Sequence, residues 1–78
     1  MSPEQSRAAR GWLDWSQDDL AAKAKVSVST VRGFEKGRHS TTTANLDAMR
    51  RAIEAAGIIL VFDDRGRARG IEARLRSR

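Results

Sequence analysis

The chain has 78 residues, no cysteine and a single histidine, and its 15 lysines and arginines against 10 acidic residues give a net charge of +5. That length supports one small domain with a modest core but no deep substrate cavity, the missing thiols exclude disulfides and thiolate chemistry, and a lone His39 offers no transition-metal site. The positive balance favours a polyanionic partner such as nucleic acid, although a membrane-surface binder would look similar on charge alone.

Ser2-Pro3-Glu4-Gln5 reads as a helix start, with Ser2 as N-cap, Pro3 at the position where a missing N–H costs nothing, and Gln5 three residues after the cap. Ala9, Trp12 and Leu13 continue at helical spacing, so a first helix is expected from about Pro3 to Leu13, with Trp12 and Trp15 in the core and Asp14 as the stop. Ser16 caps a second, short helix, in which Asp18 and Asp19 complement the dipole and Leu20, Ala21 and Ala24 form a narrow apolar face.

The next stretch, Val26 to Gly37, admits two readings. Its Val-Ser-Val-Ser opening alternates like a strand, yet that reading leaves Val31 and Phe34 on opposite faces with no partner run. A helix explains more: Val26 plugs its entry, Ser27 caps it, Val31 and Phe34 turn inward, and Lys36-Gly37 ends it. Val28, Ser29, Arg32 and Gly33 then face outward together, with Arg32 and Lys36 supplying positive charge. After the polar "RHSTTT" loop, where His39 is expected near phosphate, Leu46, Met49, Ile53 and Ala56 mark a fourth helix from about Ala44 to Ala56. It is expected to pin the other three, with Phe34 as the aromatic anchor against it, and Gly57 stops it.

"GIILVF", Gly57 to Phe62, is the longest uncharged apolar run and falls far short of a bilayer span or a signal-peptide core, so a soluble, non-secreted, cytoplasmic protein is expected. "IILVF" reads as one strand, "DDRGRARG" as a charged connection, and "IEARLR", alternating Ile71, Ala73 and Leu75 with Glu72, Arg74 and Arg76, as a second.

Two short helices joined by "AKVS", the second presenting small polar residues and arginine, make a helix-turn-helix geometry sized for a major groove. The run "WSQDDLAAKAKVSVSTVRGFEKGR" resembles the Cro/phage-repressor (XRE) type of helix-turn-helix regulator over roughly residues 3–57. The resemblance implies a mainly α, lambda-repressor-like domain of four helices (1–57), to which the pair of short β-strands read above adds a C-terminal extension (58–78). It further implies that Gln17 bonds a phosphate and braces the recognition helix, that Ser27, Val28, Ser29 and Arg32 sit where bases are met, and that Lys36 and Arg38 grip the backbone. Arg10 and Glu35 match a pair that forms a salt bridge in some members, so Arg10 would be structural as well as phosphate-facing. Two positions depart from the family. Lys25 stands where glycine is usual, which forces a side chain toward the left-handed region at about 1 kcal/mol. Gly33 stands where a larger polar residue is usual, which removes one base reader.

The function this points to is a sequence-specific, DNA-binding transcriptional regulator that occupies a palindromic operator as a dimeric repressor, with helix 27–36 in the major groove of double-stranded DNA. No cofactor, metal, membrane or small-molecule ligand is expected, and no catalytic constellation is visible. "IILVF" lacks polar alternates and so asks for cover on both faces, which nominates Ile58, Leu60, Phe62, Ile71 and Leu75 as dimerisation residues. An alternative from another class is an antitoxin or adaptor whose C-terminal strand binds a protein partner while DNA binding serves autoregulation.

Overall fold

Ser2 starts the first helix through its hydroxyl, which accepts from the Gln5 backbone N–H at 3.1 Å, while Gln5 Oε1 accepts from Ser2 N at 2.9 Å. This reciprocal cap satisfies two of the donors that a helix start leaves without partners. The computed structural model describes residues 1–37 and 41–74, and in it helix α1 runs Pro3–Leu13. Asp14, in the left-handed region at φ 57°, ends it. Ser16 and Asp19 repeat the reciprocal cap for α2, Gln17–Ala24. Ser27 caps α3, Val28–Glu35, and Thr42 caps α4, Thr43–Ala55. The strands β1 (Ile58–Phe62) and β2 (Ala68–Ala73) pair antiparallel, with Ile58 opposite Ala73 and Leu60 opposite Ile71.

One core serves all six elements. Ala9, Leu20, Ala21, Val31, Phe34, Met49, Ile53, Ile58 and Leu60 are buried in a single cluster, against which Leu13, Trp15, Leu46, Ile71 and Ala73 also pack. The centre of the packing is α2, which lies against both α3 and α4; α1 lies against α3 and β2, and α4 against β1. The fourth helix therefore does not pin the other three. Its apolar face meets α2, whose small Ala21 and Ala24 allow close approach, and Phe34 is buried in the common cluster that also holds Met49 and Ile53 of α4.

Two further expectations need correction. Trp12 is not in the core but 63 % exposed. The buried stripe of α1 is Gln5, Ser6 and Ala9, and Trp12 falls on the flank it shares with Gln5, which the hairpin touches near the helix start and no described residue covers two turns later. The second strand begins at Ala68, earlier than the Ile71 start the alternation suggested. Asp63 is the reason. Its Oδ1 accepts from the backbone N–H groups of Arg65 and Arg67, both at 2.9 Å, and Asp63 N donates to Arg67 O at 2.8 Å, so the turn closes at Arg67. The carboxyl of Asp63 is held below its ordinary range by these hydrogen bonds, the one from Arg67 N first. Leu75, nominated for the second strand, lies outside the described residues.

Gln5 does more than cap. Its side chain is buried, and Nε2 donates to Val61 O and Gly70 O, each at 2.9 Å, so one amide ties α1 to both strands. Gly70 itself sits at φ 155°, a backbone conformation that side-chain-bearing residues rarely adopt.

Candidate nucleic-acid interface

The outward face of α3 follows from its period. Val28, Val31 and Glu35 recur at i, i+3 and i+7 on the inner side, which leaves Ser29, Arg32 and Lys36 as an exposed stripe at the same spacing. Val28, expected to face outward with them, is half-buried and packs against the core, because it shares a face with Val31. Part of its surface remains open at the start of the helix. Ser27 is exposed, and its hydroxyl accepts from Thr30 N at 3.1 Å and pairs with Thr30 Oγ1 at 2.9 Å. Short side chains thus line the first turn, while positive charge lines the last.

The turn before α3 is held by backbone bonds: Lys25 N donates to Ala22 O at 3.3 Å and Val26 N to Ala21 O at 3.0 Å. Lys25 adopts the left-handed conformation (φ 58°, ψ 42°) that glycine would take without strain.

Behind α3, Glu35 is a hub. Its side chain is 2 % exposed and accepts from three different partners on two other helices. Arg10 reaches it with Nη2 to Oε1 at 2.6 Å and Nε to Oε2 at 2.9 Å, a bidentate pair. Ser6 Oγ donates to Oε2 at 2.5 Å and Gln17 Nε2 to Oε1 at 3.1 Å. Burial pushes the Glu35 carboxyl up, but the hydrogen bonds from Arg10, Ser6 and Gln17, with the Arg10 charge, outweigh it and hold the group below its ordinary range. The Arg10 guanidinium is correspondingly raised, mainly by its hydrogen bond to Glu35. Arg7 adds a hydrogen bond to the Glu35 backbone carbonyl, closing the C-terminal end of α3 from α1.

The nominated residues therefore divide. Ser29, Arg32 and Lys36 stand exposed on one stripe, Ser27 caps, and Val28 is shared between core and surface. Gln17 braces α3 through Glu35, with one amide hydrogen and its carbonyl left for another contact. Arg10 is largely committed inward, to Glu35 and, through Nη1 at 3.2 Å, to Trp15 O. Arg38 and His39 lie outside the described residues. Sequence reasoning missed Ser6, Arg7 and the second role of Gln5. Ser6 and Arg10 are separated by four residues on one face of α1, and a serine on an otherwise inward stripe was the available signal that a polar partner waits inside.

Among the described residues no group of three or more His, Cys, Asp or Glu side chains is placed to hold a metal, and no helix is long and apolar enough to cross a membrane. A family model described as helix-turn-helix matches residues 7–55, well over half of the chain, from within α1 to the last residue of α4. No curated protein matches the chain.

Proposed function

Because the chain belongs to the helix-turn-helix family of Cro/phage-repressor (XRE) type, a family of DNA-binding transcription regulators and not of enzymes, we propose that it is a dimeric repressor that occupies a palindromic operator with α3 in the major groove. The observation that carries this reading is the exposed Ser29–Arg32–Lys36 stripe on a helix whose opposite side is fixed by the buried Glu35 hub. A reading element has to arrive at the bases already oriented, and the hub supplies that orientation before DNA is met.

In this reading Ser27, Val28, Ser29 and Arg32 meet base edges. Arg32 has the reach and planar fork to pair bidentately with guanine, and the open part of Val28 suits a thymine methyl. Gln17, Lys36 and Arg38 hold phosphates on either side, and Arg10 acts mainly through Glu35. Gly33 contributes no side chain, so the protein reads few bases per subunit and gains discrimination from a second half-site about 34 Å away. Repression follows from occupancy of promoter DNA, and such a protein works in the cytoplasm with the nucleoid.

Sequencing the DNA fragments recovered by the purified protein from a random pool tests the proposal. A recovered site with two inverted halves one helical turn apart is the expected outcome. Recovery of no preferred sequence refutes operator recognition, and an asymmetric single half-site refutes the palindromic dimer.

A further inference from the structure

The first turn of α3 carries a pair of hydroxyls whose hydrogens can be counted. Ser27 Oγ accepts from the Thr30 backbone N–H at 3.1 Å, as an N-cap does, and it also lies 2.9 Å from Thr30 Oγ1. A threonine inside a helix commonly turns its hydroxyl to a carbonyl three or four residues back. Thr30 does not: among the described residues its hydroxyl bonds Ser27 Oγ alone.

Each hydroxyl has one hydrogen to give and two lone pairs to receive with. Either oxygen can be the donor across the 2.9 Å bond, and exposure decides which. Ser27 is exposed, whereas Thr30 is half-buried on the flank of the helix. The hydrogen left over has to meet water or a ligand, so the exposed oxygen keeps its own free and the half-buried one gives its own within the pair. Ser27 Oγ then receives two hydrogens, from Thr30 N and from Thr30 Oγ1, which fills both lone pairs. What remains on its outer side is a donor and nothing else.

We infer, resting on the reading of α3 as the helix in the major groove, that Thr30 sets specificity through Ser27: it makes the hydroxyl at the start of α3 an obligate donor, and so selects a base that presents a keto oxygen there over one that presents an amino group. In that groove thymine O4 and guanine O6 accept, while cytosine N4 and adenine N6 donate, so an exchange of T for C or of G for A replaces an acceptor by a donor at nearly the same place. A serine hydroxyl by itself turns to meet either kind. With Thr30 in place, an amino group opposite Ser27 brings two donors together and leaves both unpaired. Nothing on the next turn intervenes. Gly33, three residues after Thr30 and on the same flank, has no side chain to cover the pair or to read in its stead, and Ser29 and Arg32 occupy the neighbouring outward stripe. Thr30 itself touches no base; it is a positioning residue.

The operator recovered from the random pool serves the test. Each of its base pairs is exchanged in turn, T for C or G for A and the reverse, and the affinities of the full-length parent, Ser27→Ala, Thr30→Val and Thr30→Ser are measured on every site. The parent is expected to show a position at which a keto-to-amino exchange weakens binding by about tenfold or more, and Ser27→Ala, by losing its preference there, marks that position as the one Ser27 faces. Thr30→Val leaves the backbone N–H that Ser27 caps, and should cut the ratio at that position to about threefold or less while the ratios elsewhere stay as in the parent. Thr30→Ser returns the hydroxyl and should return the ratio. A ratio unmoved by Thr30→Val overturns the inference, as does retention of every ratio in Ser27→Ala. An equal loss of affinity on all sites overturns it too, because it puts the Ser27 hydroxyl on a phosphate. The readout is a ratio between two DNAs, so a loss of folded protein does not imitate it. Recovery of no preferred sequence would remove the operator reading and this contact together, whereas an operator read without help from Thr30 would remove the contact alone.

Discussion

Glu35 shows how a single residue sets the bearing of a helix. Its carboxylate is buried, so it is tolerated only because Arg10, Ser6 and Gln17 supply donors from α1 and α2, and removing any donor leaves the charge undersupplied. Its folded value is depressed, so the stability it contributes is complete above the ordinary glutamate value of 4.5 and is lost as pH falls through the lower folded value. Thermal melting followed from neutral to acid pH should therefore show a decline that begins in that range, and Glu35→Gln should lower the neutral-pH melting temperature and flatten the acid limb. An acid limb as steep in the variant as in the parent would assign the decline to other carboxylates. Arg32 stands at the other pole, exposed and ready for a partner. Arg32→Ala should reduce discrimination between the operator and a scrambled sequence by about 1–3 kcal/mol if it reads a base. Equal losses on both DNAs in a titration would demote it to a phosphate contact.

At the scale of elements, the helices were legible because their signals are local. Ser2-x-x-Gln5, Ser16-x-x-Asp19 and Ser27 announce their own helix starts, and Asp14, Lys25 and Gly37 end them within a residue or two. The left-handed Lys25 was legible too, by comparison with the glycine usual there, and Lys25→Gly is expected to stabilise the fold by up to about 1 kcal/mol by denaturant unfolding, offset in part by the extra freedom of the unfolded chain. Phe34→Ala should destabilise by about 3–5 kcal/mol, since it empties a site between α3 and the helices behind it. An unchanged urea midpoint would mean that α3 is rotated from the phase described. What the sequence could not disclose depends on distant partners. Trp12 has helical spacing to the core positions, yet its exposure is decided by how far along α1 the hairpin reaches. Grouping the small residues by type turns Val28 outward, whereas its helical phase with Val31 packs it against the core. The start of β2 depended on Asp63 gathering the backbone of Arg65 and Arg67, a contact that no alternation of apolar and polar residues encodes.

For the whole molecule, the sequence suggests a helix-turn-helix domain over 1–57 and a β extension over 58–78, and the packing joins them. Ile58 and Leu60 complete the helical core, and Gln5 bonds both strands. Deleting residues 58–78 should accordingly lower the melting temperature of the helical part itself and weaken DNA binding along with it. A truncated protein that melts like the parent would show the hairpin to be an appendage. The family match ends at residue 55, so the element that finishes the core lies beyond the part the family shares. The reach of Gln5 also orders events in time. Its two carbonyl partners come 56 and 65 residues later in the chain. Contacts so far apart close late, after the local helices have formed. During synthesis α1 must therefore wait, its buried amide still hydrated, until the hairpin has been made. A chain that stops before Gly70 carries every residue of α1 to α4 but lacks one of the two carbonyls that the buried Gln5 amide bonds.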